Sequence, residues 1–256
     1  MKKTVAVILW TVGLLGAGSG MWFVLDMNTL ADTVGEVRQS VVHIEKVGSW
    51  EGSGFVLSED GIICTAKHVV EGGGTFVVTF DDGTKVTTTC ALQDNEHDIG
   101  FLKVKTLRPL TSLPVRRFSL RAGDQVFIMG SPLGFDYFNS VTLGIISAAR
   151  RGTNNDYGLG WQVLFQSDAR AYPGNSGGPV FDLDGRVVGV LVAGVDASMN
   201  FSVPVSVFMD NMPVVRLMLT EQRFSVPFTP EVNETYTSVT PVEPNEPEHS
   251  NPEGLE

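Results

Sequence analysis

The sequence has little cysteine. Only Cys64 and Cys90 stand among its 256 residues, too few for a disulfide framework and without the paired spacing of a zinc site. One bridge in an oxidising compartment and two small buried thiols both remain open. Histidine is sparse too, at four residues, and His43, His97 and His249 have no companion spacing that marks a metal ligand, so no metal and no cofactor are expected. Basic residues number 18 against 29 acids, and no basic stripe with interleaved aromatics occurs, which argues against a nucleic-acid partner. The net charge of −11 is itself uneven: from residue 221 onward eight glutamates face the single base Arg223. The chain upstream then carries a net of about −4, an unremarkable value.

Charge is missing altogether from Thr4 to Leu25. As a helix this run of roughly 22 residues rises about 33 Å, enough to span a bilayer. Lys2 and Lys3 precede it and Asp26 follows, so the positive-inside rule predicts a single-pass signal-anchor over residues 1–27, with the N-terminus cytoplasmic and the remainder extracytoplasmic. Ala17-Gly18-Ser19 offers the competing outcome, secretion after signal-peptide cleavage. Apolarity resumes in Met21-Trp22-Phe23-Val24-Leu25, which favours the anchor.

Three textures follow. Leu30, Val34 and Val37 fall at helical spacing between Asn28 and Gln39, with Asn28 as the N-cap. From Val41 to about Val205, short β-branched runs alternate with turn signals such as Glu59-Asp60-Gly61, Asp81-Asp82-Gly83 and Asp182-Leu183-Asp184-Gly185, the mark of an all-β barrel or sandwich with antiparallel strands. A second helix is expected from Val205 to Leu219, burying Val207, Phe208, Met212, Val215 and Leu219 against the second barrel despite Pro213. The domain expectation is therefore a folded unit over 28–220 and, over 221–256, a Pro- and Glu-rich tail too poor in large apolar groups to order itself.

Chemistry concentrates in Pro173-Gly174-Asn175-Ser176-Gly177-Gly178-Pro179, where one hydroxyl is flanked by residues without bulk. A serine nucleophile needs a backbone that admits a peptide carbonyl, and N–H groups aimed at the oxygen that becomes negative; Gly174 and Ser176 would supply them. A tight Gly-rich turn is the competing reading. His68 follows a strand-like run, and Asp98 opens the apolar run Ile99-Gly100-Phe101-Leu102, where a carboxylate is buried against a partner. The order His68, Asp98, Ser176 is that of chymotrypsin-type proteases.

Dispersed motifs make the likeness specific. Ser40-Val41-Val42-His43-Ile44, Gly52-Ser53-Gly54-Phe55-Val56, the His68 and Asp98 segments, Gly130-Ser131-Pro132-Leu133-Gly134, Val141 to Ala148, Gln166-Ser167-Asp168-Ala169, the serine motif and Asn200-Phe201-Ser202-Val203-Pro204 together resemble the protease domain of the HtrA/Deg family over about residues 29 to 210. The resemblance implies an all-β fold of two antiparallel six-stranded barrels, with a short N-terminal helix, a C-terminal helix and the N-terminal transmembrane helix. It also implies a serine endopeptidase in which His68 is the base, Asp98 orients it and the Gly174 and Ser176 N–H groups form the oxyanion hole. A protein or peptide substrate would add as a strand along Val190, Leu191, Val192 and Ala193. Homotrimers are common in the family and are the implied oligomer.

Asn175 stands where trypsin has an activating aspartate, so zymogen cleavage is not expected, and loops 133–139 and 150–161 become candidate control elements. The roughly 35 residues after the last helix leave no room for the PDZ domains that usually follow the protease in this family. Arg170 replaces the alanine common in relatives. Turned into the pocket it would favour acidic substrates; turned outward it leaves a small apolar pocket bordered by Ala171 and cleavage after small aliphatic residues, the expected case. A silent peptide-binding module of the same fold is the alternative function, and a scaffold acting through its acidic tail is a third.

Overall fold

The computed structural model describes residues 3–9, 21–89, 91–94, 97–107, 109–116, 119–152 and 163–221. Of the expected tail over 221–256, Glu221 ends a helix and residues 222–256 lie outside the described residues. At the N-terminus two strands, β1 (Lys3–Leu9) and β2 (Met21–Met27), pair antiparallel with Lys3 opposite Met27, where a single long helix was expected. The local sequence accounts for the difference. Valine, isoleucine, tryptophan and phenylalanine in these two segments favour a pleated strand, and residues 10–20 between them lie outside the described residues. Among the described residues no helix is long and apolar enough to cross a membrane.

The next element starts at Thr29. Its hydroxyl accepts the Asp32 N–H at 3.2 Å and the Asp32 carboxylate accepts the Thr29 N–H at 3.0 Å, a reciprocal capping box. The cap is thus Thr29 rather than Asn28, because only Thr29 has a carboxylate three residues on. Helix α1 (Leu30–Val37) turns Leu30, Val34 and Val37 towards the core as the spacing predicted.

Seven strands form the first sheet: β3 (Val41–Lys46), β4 (Glu51–Val56), β5 (Ile62–Thr65), β6 (Phe76–Phe80), β7 (Lys85–Thr88), β8 (Ala91–Gln93) and β9 (Gly100–Lys103). The short helix α2 (Lys67–Val70) leaves the end of β5. Their order is β7-β6-β3-β4-β5-β9-β8, so the sheet is an open, curled half-barrel and not the closed six-stranded barrel expected. The reason is a break in one strand. β7 pairs with β6 and β8 with β9 at the opposite edge, and the two edge strands are consecutive in sequence, separated only at residues 89 and 90. The predicted turns hold, with Gly61, Gly83 and Gly185 at φ 93°, 81° and 77°, angles that glycine adopts without steric cost.

The second half is a closed barrel in the order β10 (Gln125–Gly130), β11 (Ser140–Gly152), β12 (Val163–Ser167), β15 (Met199–Pro204), β14 (Val187–Asp196) and β13 (Pro179–Asp182). Phe127 and Phe181 stack within it at 4.8 Å between centroids. One apolar cluster runs from Phe55, Phe76 and Phe101 of the first sheet into Phe127, Phe181 and Val190 of the barrel, and each buried phenylalanine contributes about 1.5–3 kcal/mol by leaving water. The halves therefore share a core, and the site lies over it.

After two 3₁₀ turns at 205–207 and 209–211 the chain ends its described part in α3 (Met212–Glu221). Pro213 sits in the first turn, where a helix loses no hydrogen bond to it. Phe208, Val215 and Leu219 are buried as expected. The surface they meet is the first sheet, not the second barrel: the Phe208 ring stands edge-on to Phe101 at 5.9 Å. Cys64 is a free, fully buried thiol on β5, and burial pushes its pKa well up; Cys90 lies outside the described residues.

Candidate active site

Asp98 is buried, with 5% of its surface exposed, and both its oxygens are used on α2. One accepts the His68 backbone N–H at 3.0 Å and the other meets His68 Nδ1 at 2.7 Å. Ala66, the N-cap of α2, offers no side-chain cap, so the carboxylate supplies the acceptor that the helix start lacks. The backbone contact fixes the start of α2, and the Nδ1 contact orients the ring and favours the tautomer with the proton on Nδ1, leaving Nε2 as the acceptor. Gly100 makes the approach possible. A Cβ there would stand 2.5 Å from Val70 Cγ2 and 3.0 Å from the Ala66 carbonyl, so only glycine lets β9 lie close enough to α2.

The serine turn is clipped to the same corner. Ser53 on β4 donates its N–H to the Ser176 carbonyl at 2.8 Å, and its hydroxyl donates to the Gly174 carbonyl at 2.7 Å while accepting the Ser131 N–H at 2.9 Å. A Cβ at Gly177 would lie 2.1 Å from Thr65 Oγ1 and 2.6 Å from the Ala66 nitrogen. Ser176 is thereby held beside the β5–α2 corner that carries His68. Among the described residues its Oγ makes no hydrogen bond to His68.

The backbone donors of the turn divide in two. Asn175, Gly177 and Gly178 spend their N–H groups on the carbonyls of Tyr172, Leu191 and Asn175. Gly174 and Ser176 have no such acceptor among the described residues. The Pro173 carbonyl accepts the Leu133 N–H at 2.7 Å, which turns the Gly174 N–H, on the opposite side of that peptide, away from Leu133. Gly174 holds φ 96°, and a Cβ on it would lie 2.2 Å from the Ser131 carbonyl. Of the two candidate control loops, 133–139 is thus bonded directly to the serine turn, with Leu133 and Asn139 both at positive φ. Most of the other, residues 153–162, lies outside the described residues.

A cleft of about 420 Å³ opens beside Ser176. Ala171 borders it as predicted. Arg170 is exposed and does not line it, and its carbonyl accepts the Thr142 hydroxyl at 2.6 Å. Along β14, Leu191 and Ala193 line the cleft, whereas Val190 and Val192 belong to the core. The alternation follows the two-residue period of a strand, so Val190 and Val192 can offer substrate only their main chain. Three positions escaped the sequence reading. Ser53 was legible only as part of a motif; Asn200, which lines the cleft, donates to the Ala169 and Ala197 carbonyls at 2.8 and 3.0 Å; and the exposed Asp196 lines the cleft as well. Among the described residues no group of three or more His, Cys, Asp or Glu side chains could hold a metal ion.

A β half-barrel and a β-barrel with a His–Asp pair on one and a serine turn on the other define the class of two-barrel serine peptidases. Comparison with known proteins agrees. Residues 52–190 match the trypsin-like peptidase domain. Serine protease HTRA1 of Xenopus laevis is 38% identical over 190 residues, covering 69% of this chain and 41% of that protein. A probable periplasmic serine endoprotease DegP-like of Halomonas elongata is 38% identical over 164 residues, covering 62% and 34%. The solved structure of the HtrA-type protease AlgW with tripeptide superposes with a TM-score of 0.63 at 28% identity, covering 73% of this chain and 64% of that one. The chain belongs to the HtrA/Deg family of trypsin-like serine proteases, and it spans about two fifths of the length of the first of these curated relatives.

Proposed function

We propose that this chain is a serine endopeptidase that cleaves extended polypeptides through an acyl-enzyme. The observation that carries the proposal is the double contact of Asp98 with His68 beside a serine turn whose Gly174 and Ser176 N–H groups are unspent. In this reading His68 takes the proton from Ser176 Oγ as that oxygen attacks the substrate carbonyl, and returns it to the leaving amine. Asp98 stays ionised and stabilises the imidazolium. The Gly174 and Ser176 N–H groups receive the oxyanion, each such donor lowering the barrier by roughly 3 kcal/mol in comparable sites. A fluorophosphonate probe tests it: covalent labelling of the wild type and none of Ser176→Ala is expected. The alternative is a peptide-binding module of the same fold that never cuts, and wild type that stays unlabelled in the presence of candidate substrates would establish it.

The site of action in this proposal is extracytoplasmic, supported by the charge-free run 4–25 and by the periplasmic designation of DegP-like relatives. That run is also the proposed membrane tether, on its length and flanking charges alone, and resistance of the protein to alkaline carbonate extraction is the expected result. Sedimentation equilibrium at three times the monomer mass tests the homotrimer implied by the family.

A further inference from the structure

We infer that the cleft beside Ser176 selects polypeptides with a lysine or arginine upstream of the residue that precedes the cut, and that Asp196 is the specificity-determining residue. The inference rests on the protease reading and adds a substrate class to it.

Among the described residues Asp196 is the one charged side chain on a cleft wall otherwise made largely of Ala171, Leu191, Ala193 and Val195. Its carboxylate is positioned from one side only. Oδ1 accepts the Ser198 N–H at 2.7 Å, the Ser198 hydroxyl at 3.0 Å and the Met199 N–H at 2.8 Å, while Oδ2 has no bond and the group has no ion-pair partner among the described residues. Those Ser198 and Met199 donors hold the carboxyl below the usual carboxylate range, so it is ionised at neutral pH. A fixed, unpaired anion at the mouth of an apolar cleft is complementary to a long cationic side chain, whose stem packs on the apolar wall while its head reaches the carboxylate.

Topology places that cation on one side of the cut. The Leu191 carbonyl accepts the Gly177 N–H at 2.7 Å, which ties this point of β14 to the nucleophile turn. β13 pairs with β14 no further than Val190, so the following edge is open to an added strand. A substrate running antiparallel to β14 directs its amino-terminal side away from Ser176 and towards Asp196. Asp196 lies five residues beyond Leu191 on β14, with two register shifts between them, so at about 3.3 Å per residue the carboxylate meets a side chain roughly three to five residues before the cut. The residue at the cut itself remains small, beside Ala171. Arg170 does not compensate Asp196, because it is exposed outside the cleft and forms no ion pair with it. The competing account makes Asp196 only the former of the β14–β15 turn.

The test compares wild type with Asp196→Asn, in which the amide oxygen can accept the same turn bonds, on matched peptides carrying lysine, arginine or alanine at each upstream position. The expected result is a cationic-to-alanine ratio of kcat/KM of at least about 10 for wild type, shrinking with added salt, and a ratio within about 2 for Asp196→Asn at equal thermal stability. Equal ratios in the two proteins, or a wild-type preference for neutral or acidic peptides, would overturn the inference. Peptide affinities measured on Ser176→Ala with and without Asp196→Asn keep the two proposals separate. A cationic preference lost only in the double variant supports the role of Asp196 even where fluorophosphonate labelling fails and the protease reading falls; labelling without that preference leaves the protease and removes the specificity.

Discussion

Ser53 Oγ donates to the Gly174 carbonyl at 2.7 Å, so the first sheet grips the turn of the second barrel on which the proposed oxyanion donors sit. The same oxygen accepts the Ser131 N–H, and Ser53 is fully buried. Its removal strands the buried Ser131 N–H, at about 1–3 kcal/mol, and the half-buried Gly174 carbonyl. Ser53→Ala is expected to lower kcat roughly ten- to hundred-fold with little change in KM, because the turn loosens while the cleft along β14 stays. Steady-state kinetics on one peptide substrate checks this, and a rise in KM alone would show that Ser53 serves substrate binding instead.

Gly174 is the position where any side chain does most harm. Alanine at φ 96° is strained, and its Cβ would stand 2.2 Å from a backbone oxygen, so the peptide must turn and take its N–H with it. Gly174→Ala should cost about 10²–10³ in kcat. Circular dichroism and the amide exchange of β10 should remain as in wild type; a globally unfolded variant would mean that the turn supports the barrel itself.

Asp98→Asn separates charge from shape. Asparagine can still accept the His68 backbone N–H, but its amide nitrogen then faces Nδ1 and selects the wrong imidazole tautomer. A loss of about 10⁴ in kcat is expected, with thermal stability changed far less. Activity within a factor of about ten of wild type would remove Asp98 from the proposed mechanism.

What the primary structure disclosed differs by element for physical reasons. Leu30, Val34 and Val37 were legible because a helical stripe repeats locally, and Gly61, Gly83 and Gly185 because turn chemistry is local as well. The side on which Phe208 packs was not: its ring meets Phe101, more than a hundred residues away, and no periodicity encodes a partner. The break between β7 and β8 escaped for a related reason, since strand ends are set by pairing with β6 and β9. His68, Asp98 and Ser176 stood out through their flanking patterns. Ser53 and Asp196 did not, because a buried serine and a turn aspartate acquire their meaning only from what lies across the cleft.

His43 leads to the last expectation. It lies on β3 with 2% of its surface exposed, its ring edge-on to Phe135 at 5.3 Å and 6.2 Å from Phe138. Among the described residues Nδ1 has no partner, and Nε2 lies 3.6 Å from a Glu51 carboxylate oxygen. Burial lowers its pKa from 6.5 to about 4, against the opposing pull of Glu45 and with a smaller push from Lys85. The unfolded chain therefore takes up a proton near pH 6.5 that the folded chain refuses until about pH 4. Stability contributed by the neutral ring is present above pH 6.5, declines as pH falls towards 4 and changes no further below it. Urea unfolding at pH 7 and pH 4.5 should show wild type losing about 2 kcal/mol more than His43→Leu, which has no proton to take up. The loss should also be local. Phe135 and Phe138 belong to the 133–139 loop whose Leu133 N–H holds the Pro173 carbonyl, so amide protection in that loop, taken relative to the intrinsic exchange rate at each pH, should fall with acid in wild type and not in His43→Leu. Equal acid sensitivity of the two proteins would mean that His43 is already solvated, and that the contact between β3 and the loop does not depend on a neutral imidazole.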